Sequence, residues 1–122
     1  MIKVTAAVIR KDGKILITQR SAFDRLALKW EFPGGKIEEG ETAEECLVRE
    51  IKEELNLDIK IDKFYMKNIF ENIELNTYFA HMITDEMVLN VHNDAKWVKL
   101  EELSNFNFAH ADIEVVEKLK AI

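Results

Sequence analysis

Residues 34–57 constrain the fold of this chain more than any other stretch, because a glycine-containing loop there leads into a segment crowded with carboxylates. Three of the four glycines, Gly34, Gly35 and Gly40, lie in this stretch, and the only proline, Pro33, immediately precedes it. Glycine adopts conformations and permits close approaches that other residues do not. We therefore expect the remaining elements to support the geometry of this stretch.

Within it, Thr42–Leu55 has the periodicity of an amphipathic helix. We expect its apolar side chains to form one buried stripe: Ala43, Cys46, Leu47, Val48, Ile51 and Leu55. Thr42 and Glu45 have the spacing of a capping box, in which each side chain bonds a backbone N–H at the helix start. Asn56 stands where a left-handed residue commonly ends a helix. The sequence thus predicts a helix with both ends defined.

The other segments have mainly the patterns of strands. The Asp12-Gly13 turn signal between two apolar runs predicts a hairpin of residues 2–9 and 14–20. Further strands are predicted at 30–32, 57–62, 64–70, 73–83, 87–89 and 95–100, a second helix at about 111–119, and a mobile loop at 21–29. Together these elements predict an α/β fold in which a mixed sheet is sandwiched between helices (α/β/α). The length of 122 residues fits a single domain over residues 1–122.

Charge and cysteine content exclude several partners and compartments. The net charge is -6 and no block of lysine and arginine occurs, so neither a nucleic acid polymer nor an anionic membrane is expected as a partner. Cys46, the only cysteine, has no internal disulfide partner and is expected to be a buried thiol in a reducing compartment. The apolar residues 1–9 are too few to cross a membrane and lack a signal-peptide cleavage site. We therefore expect a cytoplasmic protein.

Three carboxylates, Glu50, Glu53 and Glu54, lie at positions i, i+3 and i+4 on one face of the predicted helix. They repel each other unless a positive charge lies among them, and a hard divalent cation such as Mg²⁺ or Mn²⁺ prefers oxygen ligands of this kind. Arg49 and Lys52 are interleaved and offer a second explanation, a solvated acidic face balanced by its own cations. The glycine-containing loop favours the metal site, because it lets the backbone come close to a ligand.

Residues 35–57 also resemble the Nudix box, G-x5-E-x7-R-E-U-x-E-E-x-G-U with U an apolar residue. One element differs, because Asn56 stands where the pattern has glycine. Since asparagine tolerates positive φ, we expect the helix end to survive this change. The resemblance extends to residues 17–20, 30–38 and 111–113 and looks closest to the MutT-like nucleoside triphosphate pyrophosphohydrolases. It implies the Nudix fold over essentially the whole chain.

The resemblance implies a metal site whose ligands are Glu50, Glu53, Glu54 and the backbone carbonyl of Gly34. Mg²⁺ is the implied cofactor, and Mn²⁺ is the alternative. Glu50 is also the implied base that activates the attacking water, with Arg49 orienting its carboxylate, so the implied catalytic group is Glu50, Arg49 and Glu53. The cations hold the polyphosphate, since an acidic site cannot bind a dense anion directly.

The implied substrate-binding residues lie on other parts of the chain. Arg20 and Lys36 would neutralise phosphate charge. Asp112 aligns with a residue that reads the base, and the alternative is a helix N-cap. Tyr78 is expected to provide one aromatic wall for stacking, with its neighbour Phe79 as the alternative and a place in the core as the simpler explanation for both.

Two further regions are implied to lie near the metal. Glu41 would be in the outer shell of the site. MutT-like enzymes often add a carboxylate from the loop before the strand that holds Trp97, but this chain has no acid at the aligned position. His92 or Asp94 are the candidates to substitute, and the alternative is a solvated loop.

The implied reaction is attack of water on a phosphorus of a nucleoside triphosphate, giving the monophosphate and pyrophosphate. The expected substrate is 8-oxo-dGTP or a cytidine nucleotide, and the expected role is sanitation of the nucleotide pool. The alternatives are hydrolysis of ADP-ribose or a dinucleoside polyphosphate, and a non-catalytic nucleotide-binding domain. The expected partner is therefore a small molecule, bound by a monomer or a homodimer.

Overall fold

The computed structural model describes all 122 residues of the chain, which form seven strands, two α-helices and one 3-10 helix. The elements are β1 Ile2–Lys11, β2 Lys14–Gln19, β3 Trp30–Glu31, β4 Gly34–Lys36, α1 Ala43–Leu55, β5 Ile59–Phe70, β6 Ile73–Met82, β7 Asp94–Val98, the 3-10 helix Leu100–Asn105, and α2 His110–Lys120. Most of them were predicted, including the hairpin of β1 and β2. Neither helix has the length and apolar composition needed to cross a membrane.

The sheet is mixed and divides along β1. On one side, β1 pairs in parallel with β6, which pairs antiparallel with β5. On the other side, β1 pairs with β4 through Val4–Ala6 and with β2 only at its far end, through Arg10 and Lys11. β2 in turn pairs with β3 and β7. Two groups of strands therefore diverge from β1, and the cavity described below lies between them.

Alternating residues of β1 point into two separate cores. Ala6 and Val8 belong to a core of 14 residues that also contains the buried side chains of α2. Ala7 and Ile9 belong to a core of 10 residues that contains the buried side chains of α1. Each core thus has the sheet on one side and a helix on the other, which confirms the predicted α/β/α arrangement.

Helix α1 begins and ends as predicted. The Thr42 hydroxyl accepts from the N–H of Glu45 at 3.1 Å, and the Glu45 carboxylate accepts from the N–H of Thr42 at 2.8 Å. Asn56 is left-handed, with φ of 56°, and its N–H donates to the Lys52 carbonyl. The prediction that Val48 faces the core is wrong, since this residue is 40% exposed. By helical geometry Val48 lies at the margin of the stripe formed by the buried apolar residues on that side of α1, Leu47, Ile51 and Leu55.

Residues 87–89 do not form the predicted strand. The N–H of Val88 donates to the Leu55 carbonyl at 2.9 Å, and the N–H of Asn90 donates to the Glu54 carbonyl at 3.0 Å. The last carbonyls of a helix have no partner within the helix, so they need donors from elsewhere. The segment after β6 supplies these donors to α1 instead of joining the sheet. The 3-10 helix Leu100–Asn105 was not predicted either.

Candidate active site

A cavity of about 580 Å³ opens where the two groups of strands diverge. Strands β1 and β4 form part of its lining, helix α1 contributes residues from its last two turns, and the start of α2 lies on another side. The predicted site residues that line it are Arg20, Gly34, Lys36, Glu50, Glu54 and Asp112. The fold therefore brings together residues from four separate parts of the sequence. The predicted residues Arg49, Glu53 and Tyr78 lie outside this lining.

Arg49 holds the carboxylates beside the cavity. Its guanidinium donates to the two oxygens of Glu41 at 2.7 and 3.0 Å, to Glu50 at 3.0 Å and to Glu53 at 3.3 Å. The hydrogen bonds from Arg49 lower the pKa of Glu41 to about 2. In this structure Arg49 is thus the cation that balances the charges of Glu50 and Glu53. This role was predicted for Arg49 and Lys52 as the alternative to a metal ion.

Glu50 packs directly against Gly35 of strand β4. A Cβ placed on Gly35 would overlap the Glu50 carboxylate, and one placed on Gly34 would overlap the backbone carbonyl of Thr5. These two glycines therefore allow β4 to approach both β1 and the acidic face of α1. Burial raises the pKa of Glu50, while its hydrogen bond from Arg49 opposes this change. The result is a carboxylate that accepts a proton more readily than an exposed one does.

Glu54 carries a buried carboxylate oxygen, Oε1, that has no hydrogen-bond partner. Burial raises the pKa of Glu54 to about 7, and the neighbouring His92 partly opposes this change. Burying an unpaired carboxylate is costly unless a proton or a cation satisfies it. With Glu50 one turn earlier on the same helix, this oxygen fits a hard divalent cation.

Glu53 stands apart from these two carboxylates. It is 60% exposed, and its ion-pair partner is Arg49. Lys52 does not contribute to the balance of charge, because it pairs with Asp58 at 3.5 Å. As the side chains stand, no group of three or more acidic, histidine or cysteine residues is arranged to hold a metal ion. Glu53 joins Glu50 and Glu54 only if its side chain turns from Arg49 towards the cavity.

Arg20, at the end of β2, lies between two carboxylates. Its Nε and Nη2 atoms donate to Asp24 at 2.9 and 2.7 Å, and its Nη1 atom donates to Glu31 at 2.8 Å. These contacts raise the pKa of Arg20 above its ordinary value, led by the hydrogen bond to Asp24. The other oxygen of Glu31 lies 3.0 Å from Nε2 of His92. Lys36, by contrast, is exposed at the edge of the cavity.

Asp112 lines the cavity from the first turn of α2. The N-cap position is taken by Ala109, so the alternative that Asp112 caps the helix is wrong. Its Oδ1 atom accepts from the N–H of Phe32 at 3.3 Å. Burial raises the pKa of Asp112 well above its ordinary value. A buried carboxyl group therefore lines the cavity close to apolar residues.

Comparison with known proteins agrees with this geometry. The family model of the NUDIX domain matches residues 1–119 of this chain. The chain belongs to the Nudix family. It is similar to the CTP pyrophosphohydrolase of Escherichia coli (strain K12), with 34% identity over 100% of this chain and 93% of that protein. It is also similar to the 8-oxo-dGTP diphosphatase of the same organism, with 32% identity over 99% of this chain and 98% of that protein.

A solved structure extends the likeness to three dimensions. The MutT protein of methicillin-resistant Staphylococcus aureus 252, described as a Nudix hydrolase, superimposes with a TM-score of 0.78 and shares 37% identity. The match covers 98% of this chain and 95% of that protein. The MutT-like resemblance and the Nudix fold are therefore confirmed. Nudix hydrolases generally use divalent cations, in keeping with the unpaired oxygen of Glu54.

The one departure from the Nudix box is accommodated by the backbone. Asn56 adopts the left-handed conformation that the pattern's glycine would adopt, with φ of 56° and ψ of 30°. Its Nδ2 atom also donates to the Glu86 carbonyl at 3.1 Å, a contact that glycine lacks. The helix end therefore survives the change, as predicted.

Tyr78 does not line the Nudix cavity, so its predicted role in substrate binding is wrong. It is buried in the core under α1, where its hydroxyl donates to Glu44 at 3.3 Å. Phe79 is buried in the other core, against Tyr65. Successive strand residues face opposite sides of the sheet, and helices cover both sides here. Neither ring is therefore free to stack on a base.

Sequence reasoning missed two features of the cavity. The first is Glu31, whose carboxylate contacts both Arg20 and His92. The only sequence signal for it is strand alternation, because a residue between the buried Trp30 and Phe32 is expected to point to the other side of the strand. Much of the apolar lining comes from residues far apart in the sequence, among them Leu26, Phe32, Phe70, Ile73, Leu75 and Ala109. No local pattern marks such a set, because only the packing of several elements assembles it.

Proposed function

We propose that this Nudix protein is a Mg²⁺-dependent nucleoside triphosphate pyrophosphohydrolase, in which Mn²⁺ is able to replace Mg²⁺. It converts a nucleoside triphosphate and water to the monophosphate and pyrophosphate. The observation that carries this proposal is the shared cavity of Glu50, Glu54 and Arg20, in which one buried carboxylate oxygen has no partner. The names of the two Escherichia coli relatives support the same class of reaction.

The residues that would hold the cation are Glu50, Glu53 and Glu54, together with the backbone carbonyl of Gly34. All four supply hard oxygen donors, which favour Mg²⁺ or Mn²⁺ over softer metals. When bound, such a cation neutralises phosphate charge, polarises the phosphorus and lowers the pKa of water. The elevated pKa of Glu54 and its unpaired oxygen support its place in this set.

Glu50 accepts the proton of the attacking water. Its carboxylate is partly buried, and burial raises its pKa, which makes it a better proton acceptor than an exposed glutamate. Arg49 fixes the direction of this carboxylate through the contact of 3.0 Å, and Glu41 in turn fixes Arg49. The three residues keep the proton acceptor in one orientation while substrate enters.

Arg20 and Lys36 bind the phosphate groups. Arg20 is held in the cavity by Asp24 and Glu31, so its guanidinium is positioned before substrate arrives. Lys36 lies at the open edge, where its flexible side chain reaches phosphate oxygens. Both cations complement a polyphosphate whose remaining charge is neutralised by metal.

Asp112 reads the base. A carboxyl group that holds its proton presents one donor and one acceptor, and burial favours this form by raising the pKa of Asp112. Cytosine offers an amine beside a ring nitrogen acceptor, and 8-oxoguanine offers a ring N–H beside a carbonyl, so both bases match this pattern. The relatives' names include CTP and 8-oxo-dGTP, and we therefore propose these two nucleotides as the first substrates to test.

A nucleotide panel with Mg²⁺ tests the proposal. Purified protein is given CTP, 8-oxo-dGTP, the four ordinary deoxynucleoside triphosphates, ADP-ribose and a dinucleoside polyphosphate, and pyrophosphate and orthophosphate are measured separately. We expect pyrophosphate and a monophosphate from at least one triphosphate, and no product in the presence of a chelator. Turnover of ADP-ribose alone would place the protein in a different branch of the family, and no turnover with any compound would favour a nucleotide-binding role.

A further inference from the structure

The segment between β6 and β7 carries a buried side chain that the proposed reaction does not use. Two anchors hold this segment in place. Asn90 donates from its N–H to the Glu54 carbonyl at 3.0 Å and from its side chain to the Glu53 carbonyl at 2.8 Å. Asn93 donates from its N–H to the Gln19 carbonyl at 2.9 Å and from its side chain to the Gln19 side chain at 2.7 Å. The residues between these anchors therefore cross from the end of α1 to the end of β2.

Val91 and His92 lie between the two anchors and point in opposite directions. Val91 is mostly exposed, whereas the side chain of His92 is only 4% exposed. Nε2 of His92 lies 3.0 Å from Oε2 of Glu31, and Nδ1 is buried without any partner. A carboxylate paired with a guanidinium accepts hydrogen bonds, so Nε2 carries the proton and donates it to Glu31.

This contact completes a row of four charged or polar side chains. Asp24 accepts from Arg20, Arg20 donates to Oε1 of Glu31, and His92 donates to Oε2 of Glu31. Each oxygen of Glu31 therefore has a different donor, one from the residue that follows β2 and one from the segment before β7. Two donors on different elements fix both the position and the rotation of the carboxylate.

We propose that His92 is a positioning residue, which holds the Glu31 carboxylate so that Glu31 holds Arg20 ready for the phosphate groups of the substrate. The inference rests on the proposed function, because that function gives Arg20 its phosphate contact. An apolar side chain would fill the same space without leaving a buried nitrogen unpaired. The imidazole is therefore better explained by its contact with Glu31 than by packing.

Without His92, Oε2 of Glu31 loses its donor, while Oε1 still accepts from Arg20. The carboxylate is then free to rotate, and Asp24 remains the only fixed partner of the Arg20 guanidinium, which is held less firmly. Because Arg20 contacts phosphate both before and during the reaction, its displacement weakens binding of the triphosphate more than it slows the chemical step. The expected signature is a rise in KM with little change in kcat.

The test compares His92→Leu with His92→Gln. Leucine keeps the volume of the side chain and removes the donor, whereas the glutamine amide reaches about as far as Nε2 and keeps it. We expect His92→Leu to raise KM for the best nucleotide by roughly tenfold, the size of effect expected from losing one hydrogen bond to a charged group. His92→Gln is expected to keep KM close to the wild-type value. The control is His81→Leu, because His81 pairs with Asp62 at 2.8 Å on the surface, away from the cavity.

Two binding measurements separate this inference from other roles of His92. Calorimetry with inorganic tripolyphosphate and Mg²⁺ should show the same weakening in His92→Leu and none in His81→Leu. Binding of Mn²⁺ alone, followed by electron paramagnetic resonance, should be unchanged in all variants. A fall in Mn²⁺ affinity with unchanged KM would overturn the inference and assign His92 to the metal instead. Unchanged KM and unchanged tripolyphosphate binding in a folded His92→Leu protein would overturn it as well.

A double variant gives an independent result. Glu31→Gln replaces the charged carboxylate by a neutral amide and so weakens the contact with His92. Adding His92→Leu to this variant should therefore change KM by much less than the same substitution does in the wild type. Full additivity of the two changes contradicts the inference. If His92→Leu does not fold, His92→Asn replaces it, because the asparagine amide is too short to reach Glu31. If the wild type hydrolyses no nucleoside triphosphate, the proposed function fails, while tripolyphosphate binding still tests His92.

Discussion

The two ends of the cavity are built in different ways. The carboxylate end takes Glu50 and Glu54 from helix α1 and Gly35 from strand β4, the element that precedes this helix, all within residues 34–57. The base end, named for the proposed role of Asp112, takes Asp112 from the start of α2 and Phe70 from the end of β5. The first end derives its geometry from helical spacing, and the second derives it from the packing of distant elements. Changes at the first end should therefore alter chemistry with little effect on the fold, whereas changes at the second should alter selectivity and stability together.

The largest expected effect is at the carboxylate end. Glu53→Gln removes one of the three carboxylates proposed to bind the cation, and a catalytic cation contributes several kcal/mol to the transition state. We expect kcat to fall by about 10³-fold, which corresponds to about 4 kcal/mol. Because Glu53 is 60% exposed, the free energy of unfolding should change by less than about 0.5 kcal/mol.

The matched control for this change is Glu39→Gln, an exposed glutamate in the loop before α1. It makes the same alteration of charge outside the helix and the cavity lining and should leave kcat unchanged. Steady-state rates and urea unfolding of both variants provide the comparison. A Glu53→Gln protein with wild-type turnover would remove Glu53 from the metal site, and a large loss of stability would show that this end is not locally built.

A second prediction concerns the metal-free protein and its stability against pH. Burial raises the pKa of Glu54 from 4.5 to about 7. The native state then binds a proton between these two values that the unfolded chain releases, so this stabilising contribution is complete below pH 4.5 and is lost as the pH rises through 7. The loss amounts to at most about 3 kcal/mol.

Glu54→Gln has no such titration, so the test is a difference between two proteins. In the presence of a chelator, the wild type should lose more free energy of unfolding than Glu54→Gln between pH 5 and pH 8. Saturating Mg²⁺ should reduce this difference, because a cation stabilises the ionised carboxylate. Parallel pH profiles in the chelator would mean that Glu54 is not buried as an unpaired acid.

The base end should respond in selectivity. Asp112→Ala removes the group proposed to read the base, and we expect the ratio of kcat/KM values between the best and worst nucleotides to fall by about 10- to 100-fold. The maximal rate with the best nucleotide should change less, because the phosphate and metal contacts remain. The same panel of nucleotides, with rates measured for each, provides the measurement.

The free energy of unfolding of the Asp112 variants provides a second measurement, which separates base recognition from a structural role. Asp112→Ala leaves the N–H of Phe32 without its acceptor, so it should reduce the free energy of unfolding by about 1–3 kcal/mol. Asp112→Asn keeps an acceptor oxygen and should retain most of that stability. If Asp112→Ala is destabilised but ranks the bases as the wild type does, Asp112 is only a structural residue.

The same contrast explains which features the sequence predicted. The ends of α1 depend on contacts between residues three or four apart, such as the pair of Thr42 and Glu45, and these were predicted correctly. The faces of Tyr78 and Phe79 depend on which helix covers which side of the sheet. Strand alternation shows that the two rings point in opposite directions, but it does not show which side contains the cavity.

Residues 87–89 show a second limit of prediction from the sequence, which is that contacts with a distant element can override a local pattern. Their apolar side chains have the pattern of a strand, yet the N–H of Val88 bonds the Leu55 carbonyl at the end of α1. This need for donors belongs to the helix and is not visible in the segment itself. The contact between Glu31 and His92 was unpredictable for a similar reason, because it joins residues that are 61 positions apart.

The smallest expected effect is at Asn56, where the chain departs from the Nudix box within its locally built end. Asn56→Gly restores the pattern and relieves the cost of a left-handed asparagine, but it removes the bond of 3.1 Å to the Glu86 carbonyl. These effects oppose each other, so the free energy of unfolding should change by less than about 1 kcal/mol, and kcat should stay within about twofold. Urea unfolding and steady-state rates check both values. Asn56→Ala is the control, because alanine lacks the bond and strains the left-handed backbone, and it should be less stable than either protein. A large gain in kcat for Asn56→Gly would show that the helix end controls the carboxylates, and that even the locally built end depends on more than helical spacing.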